Sequence, residues 1–114
     1  MPAEFGSPWR GERVIAYGQG SQRELREASG VISALDESVA PRCPDCKTQR
    51  AITFDADAGE GFSGGPVVDA STGAVVGITF GFLDDPAGKA PRRMFAYDID
   101  AVLDEMRRLV RPGA

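Results

Sequence analysis

Asp57-Ala58-Gly59-Glu60-Gly61-Phe62-Ser63-Gly64-Gly65-Pro66-Val67-Val68, followed across a turn by Gly73-Ala74-Val75-Val76-Gly77-Ile78, is the stretch that decides how this chain is read. A serine hydroxyl is a weak nucleophile unless a base takes its proton and donors hold the resulting oxyanion. Glycines on both sides of Ser63 let the backbone turn sharply and come close to a substrate. Gly61 and Ser63 can aim two N–H groups at one point, which is what an oxyanion hole needs. Gly64 and Gly65 leave the approach open, and Pro66 starts the next strand where no N–H is required. On glycine and serine alone, the same residues also describe a plain glycine-rich turn with an exposed serine.

Outward from this loop, 66–69 and 74–82 read as the arms of a hairpin, joined by Ala70-Ser71-Thr72-Gly73. Upstream, 13–17, 30–35 and 51–54 read as short strands rich in β-branched residues. Between them lie a polar loop over 18–26 and an irregular loop over 36–49, acidic and then rich in Pro and Cys. Residues 55–65 are too rich in Gly and Asp for a regular element, and 84–91 is a further loop. A sixth strand is predicted over 94–97. The C-terminal end changes period: Ile99, Val102, Leu103, Met106, Leu109 and Val110 recur at helical spacing. Asp98 is the expected N-cap, Asp100 and Asp104 lie early, and Arg107, Arg108 and Arg111 lie late, which suits the helix dipole. Pro112-Gly113 ends the helix. Six short strands without alternating helices indicate an all-β barrel or sandwich closed by one helix.

The totals agree. The chain has 114 residues, enough for one small domain, with 42% hydrophobic and 26% charged residues. Gly 14 and Pro 8 favour many turns. A net charge of −4 gives no basic footprint for nucleic acid or an anionic membrane. Apolar runs are too short to span a bilayer, and residues 1–10 hold no apolar signal-peptide core, so the compartment stays open. The most useful count is zero histidines: a mechanism needing an imidazole base cannot be built from these residues alone.

The serine stretch and its hairpin resemble the nucleophile segment of trypsin-like serine proteases, through the Gly61-x-Ser63-Gly64-Gly65-Pro66 core and the Gly77-Ile78 that follows. The resemblance extends to the HtrA-like bacterial branch. Gly11 to Gly18 looks like the first strand of its second barrel, Ser29 to Leu35 the next, and Ile52 to Ala56 the strand entering the serine loop. Phe95-Ala96-Tyr97 and the helix look like its ending. Residues 11–110 are covered. The resemblance implies a six-stranded antiparallel barrel with a C-terminal α-helix, one domain over 1–114, and peptide-bond hydrolysis through an acyl-enzyme on Ser63. It also implies an oxyanion hole at Gly61 and substrate contacts at Asp57, Thr79 and Gly81, without cofactor or metal. The triad histidine and aspartate are expected on an N-terminal barrel in cis or trans, since neither Asp55 nor Asp57 has an imidazole to orient. The partners expected are a peptide or protein substrate, that barrel, and further copies of the chain through an exposed apolar face. The alternative left open is a non-catalytic peptide- or protein-binding domain that uses the same cleft.

Other features have plainer readings. The residue before the serine is usually Asp or Asn in that family; Phe62 must instead pack or be exposed. Asp57, six residues before Ser63, stands where trypsin carries the aspartate that selects Lys or Arg, but it also reads as a solvated loop carboxylate. Cys43-Pro44-Asp45-Cys46 supplies two thiols, too few to close a zinc tetrahedron; a local disulfide, a redox pair or two free thiols remain. Phe5 and Trp9 are expected to cover a barrel edge. Arg92-Arg93 is expected to be solvated.

Overall fold

Alternation of apolar residues decides which face each strand buries, and in this chain the inward faces close on one another. The computed structural model describes residues 4–20, 22–39, 49–59, 61–84, 87–89 and 92–110. The elements are β1 (Arg13–Gln19), β2 (Leu25–Val39), β3 (Gln49–Ala56), β4 (Pro66–Asp69), β5 (Val75–Leu83), β6 (Arg92–Asp98) and α1 (Ile99–Val110). They form a closed barrel in the order β1-β2-β3-β6-β5-β4, with every pairing antiparallel. Inside lie Val14 and Ala16 of β1, Ala28 and Ile32 of β2, Ile52, Phe54 and Ala56 of β3, Val67 of β4, Val76 of β5, and Met94 and Ala96 of β6. Burial of each large side chain in this set, such as Phe54 or Ile52, contributes about 1.5–3 kcal/mol.

The predicted strands all exist, and most run longer than their apolar cores. β2 reaches back to Leu25 and on to Val39 because its backbone ladder with β1 and β3 continues past the apolar run. The 66–69 and 74–82 hairpin appears as β4 and β5, with Gly73 at φ 77°. The helix starts as expected: Asp98 Oδ1 accepts the Asp100 N–H at 2.8 Å. Among the described residues no helix is long and apolar enough to cross a membrane. Cys43 and Cys46 lie outside the described residues.

Residues 4–12 strap the barrel. Phe5 bridges Val75 in parallel, the Gly6 N–H donates to Val75 O at 3.0 Å, and the Val75 N–H donates to Glu4 O at 2.8 Å. The Ser7 hydroxyl donates to Asp100 Oδ2 at 2.8 Å, tying the strap to the start of α1. The edge is therefore covered by the backbone of this segment, while the Phe5 and Trp9 side chains stay 54% and 55% exposed.

Beneath the strap two carboxyl groups meet. Asp69 Oδ1 accepts the Ser71 N–H at 2.7 Å, the Ser71 hydroxyl at 2.6 Å and the Thr72 N–H at 2.9 Å, which shapes the β4–β5 turn. Glu12, 2% exposed, accepts the Trp9 N–H at 3.2 Å and lies beside Asp69. Burial, followed by the neighbouring Asp69, pushes the Glu12 carboxyl up to about 7. The neighbouring Glu12, with the bonds from Ser71 and Thr72, holds Asp69 well below the usual carboxylate range.

The two carboxyls are thus shifted in opposite directions, and stability depends on pH through both. Glu12 is raised from 4.5 to about 7, so its contribution is complete below 4.5 and lost as pH rises through 7. Asp69 is lowered, so its contribution holds above 3.8 and is lost as pH falls further. Screening at the barrel rim leaves about 1–2 kcal/mol for the Glu12 share. The melting temperature is expected to fall between pH 4.5 and 7 in the native chain. Glu12→Gln should flatten that fall; equal slopes for both proteins would discard Glu12 as its cause.

Candidate active site

Ser63 is exposed, in the turn between β3 and β4, and its loop is held from both sides. Toward β1, the Gln19 N–H donates to Gly61 O at 2.9 Å. Toward β5, the Gly64 N–H donates to Thr79 O at 2.7 Å and the Thr79 N–H donates to Gly65 O at 3.0 Å. Inside the loop, the Phe62 N–H donates to Gly59 O at 3.2 Å and the Gly65 N–H to Phe62 O at 3.0 Å. Among the described residues, none of these bonds uses the N–H of Gly61 or of Ser63. Gly61 sits at φ 92°, and a Cβ there would lie 2.1 Å from Gln19 O, so only glycine fits.

Phe62 packs rather than being exposed. It is 5% exposed and belongs to the core cluster with Val14, Ala16 and Val67. Gly18 of β1 makes its seat: a Cβ at Gly18 would come within 2.6 Å of Phe62 Cγ. The turn is thus pinned from below by an apolar side chain, while Ser63 beside it faces out. A cleft of about 380 Å³ opens over this turn, with Tyr17, Gly18, Leu25, Ser63 and Pro66 in its walls.

The residues read as substrate contacts are placed differently from one another. Thr79 is 1% exposed, its backbone bonded twice to the serine loop and its Oγ1 without a partner among the described residues. Gly81 follows on the same strand, after a register shift between Thr79 and Gly81 against β6. Asp57 is exposed in the bend where β3 ends, at the far end of the loop from Ser63.

The solvated reading of Arg92 is corrected. Its Nε pairs with Asp84, its Nη1 donates to Ala58 O at 3.0 Å, and its guanidinium lies 5.0 Å from the Phe82 ring centroid. These partners lie 8 and 34 residues away in sequence for Asp84 and Ala58, so no local pattern announces them. Gly18 did leave a trace, as a glycine at a strand end, where close backbone approach is a standard reason for one. Among the described residues no group of three or more Cys, Asp or Glu side chains is placed to hold a metal ion.

A family model described as the trypsin-like peptidase domain matches residues 1–78. The chain is 31% identical over 103 residues to Protease Do-like 1, chloroplastic, of Arabidopsis thaliana, covering 90% of this chain and 23% of that protein. The chain thus spans about a quarter of the length of this curated relative. Among solved structures, the active form of the Rv3671c protease of M. tuberculosis superposes with a TM-score of 0.75 at 21% identity, covering 99% of this chain and 51% of that one. The HtrA-type protease AlgW, solved with a decapeptide, superposes with a TM-score of 0.75 at 24% identity, over 97% of this chain and 34% of that one. The MamO protease domain of Magnetospirillum magneticum gives 0.64 at 21% identity. At these identities the structural likeness is one of fold: a closed six-stranded barrel with a C-terminal helix.

Proposed function

The chain belongs to the trypsin-like peptidase family, and from that premise we propose that it is the nucleophile half of a serine endopeptidase, one barrel that needs another. Ser63 Oγ attacks the carbonyl of the scissile peptide bond. The base that takes its proton is a histidine, oriented by an aspartate, on an N-terminal barrel in cis or in trans. The N–H groups of Gly61 and Ser63 receive the oxyanion, the amine leaves with the proton, and water releases the acyl group from Ser63. The peptide lies along β5 past Thr79 and Gly81. The observation that carries this reading is the loop itself: an exposed serine whose N–H, with that of Gly61, is without a backbone partner among the described residues while neighbouring loop amides are bonded.

The test supplies the missing half. An N-terminal barrel bearing histidine and aspartate, from an HtrA-type protease, is added to the chain or fused ahead of it. A fluorophosphonate probe is expected to label Ser63 only in the combined protein, and Ser63→Ala to abolish the label. No labelling in either arrangement would remove the reading.

A second reading, a binding domain that uses the same cleft, is favoured by one observation: β1 pairs with β4, so the barrel closes without a partner strand. Against it stand apolar side chains left in solvent, Leu25 at 77%, Leu83 at 60% and Val31 at 44% exposed. Melting and sedimentation of the same samples separate the two. A half-enzyme self-associates or gains stability from the added barrel; a free-standing binding domain does neither.

A further inference from the structure

The charged side chain that the fold places between the two segments assigned to substrate is Arg92, not Asp57. Arg92 opens β6. It pairs with Ala56 at the end of β3, and its neighbour Arg93 pairs with Leu83 at the end of β5. The first of these strands runs on into the serine loop, and the second carries Thr79 and Gly81. The guanidinium spans the gap between them. Nη1 holds Ala58 O at 3.0 Å, the ring of Phe82 lies 5.0 Å below the cation, and Nε meets Asp84. Gly59 leaves room for it, since a Cβ there would sit 2.2 Å from Nη1, and Gly59 O in turn accepts the Phe62 N–H next to Ser63.

We propose that Arg92 is a specificity-determining residue at the end of the proposed peptide path along β5, and that it selects peptides with an acidic side chain near the bond presented to Ser63. The inference rests on the reading of that path as a peptide site and names its substrate class.

Three features support it. The guanidinium is fixed by a carbonyl and an aromatic face, so its planar fork is oriented before any ligand arrives. Its side chain remains 41% exposed, so the charge is accessible. Its carboxylate partner, Asp84, is 65% exposed, and a surface pair of this kind is weak enough for a ligand carboxylate to displace. Asp84 stands in for that ligand in the free protein. Among the described residues, the other charges on these segments are Asp57, exposed in the bend, the facing pair Asp55 and Arg93 on β3 and β6, and Lys89 in the β5–β6 connection. A lysine or arginine ligand reaching for Asp57 would also meet the fixed cation one residue away at Ala58, so the trypsin-like selection of basic residues is not expected here.

The experiment uses the full chain and three fluorescent peptides identical except for one central residue, Glu, Gln or Lys, with binding followed by anisotropy. The Glu peptide is expected to bind about 10-fold tighter than the Gln peptide, as a charge-assisted contact allows, with the Lys peptide weakest. Arg92→Gln should erase the order, and Arg92→Lys should restore only part of it. Asp84→Asn, which frees the guanidinium without touching the barrel, should widen the preference for Glu. Equal binding of the three peptides overturns the inference and leaves the peptide site standing. A preference for Lys that disappears in Asp57→Asn overturns it in favour of Asp57. Binding of none of the peptides removes both the inference and the peptide site beneath it.

Discussion

Peptide hydrolysis by the 114-residue chain on its own is expected to fall about a million-fold below that of a complete serine triad, the loss that follows removal of the base in such enzymes. The chain has no histidine. Asp55, Asp57 and Glu12 do not substitute. Asp55 and Asp57 are exposed, and neither has an imidazole to orient. Glu12 is pushed up to about 7 and so titrates where a general base should, but it lies against Asp69 and Trp9, next to Arg13 at the start of β1. The serine loop meets β1 at Gln19, about 20 Å further along at the rise of a β-strand. In the proposed oxyanion role, the N–H groups of Gly61 and Ser63 remove no proton from Ser63. Rates of peptide hydrolysis and fluorophosphonate labelling of the purified chain are the measurements. Robust labelling that disappears in Ser63→Ala would mean that a base has been overlooked.

Phe62→Ala is expected to cost about 3–5 kcal/mol, the range for deleting a buried aromatic side chain. The ring is 5% exposed inside the main core cluster, against the bare backbone of Gly18, so little can move in to fill the space. For a domain of this length, whose total stability is about 5–15 kcal/mol, the melting temperature should drop by tens of degrees. Phe62→Leu should cost less because it keeps an apolar side chain in the seat. Phe62→Asp, which installs a residue usual in the family, should be at least as damaging as alanine, because it would bury a carboxylate in the apolar core against Gly18. Thermal unfolding of the three variants checks the order. An alanine variant that melts within a degree or two of the native chain would show that the ring is not what holds the loop.

Fold class and the exposed serine turn were legible because both depend on local pattern. Short runs such as Val14-Ile15-Ala16 and Val75-Val76 between turn residues announce strands, and the switch to helical spacing after Asp98 announces α1. The strand ends were less legible. Arg26 read as loop, yet it pairs with Gly18, because an exposed position accepts charge and the backbone ladder continues beneath it. The solvated reading of Arg92 failed for a different reason: what engages a long side chain is set by where distant strands end.

What this sequence determined by itself is the chemistry available: Ser63 among glycines, a hairpin after it, apolar alternation sufficient for a barrel, and no imidazole anywhere. These depend on residue identity and spacing within a few positions. Only the tertiary structure decided that Phe62 turns inward onto Gly18, that Gly64 gives its N–H to Thr79, that Glu12 lies buried beside Asp69, and that Arg92 bridges Ala58 and Asp84. Most of these join segments far apart in the chain. Their distances are set by barrel closure and register, which are collective properties of all six strands.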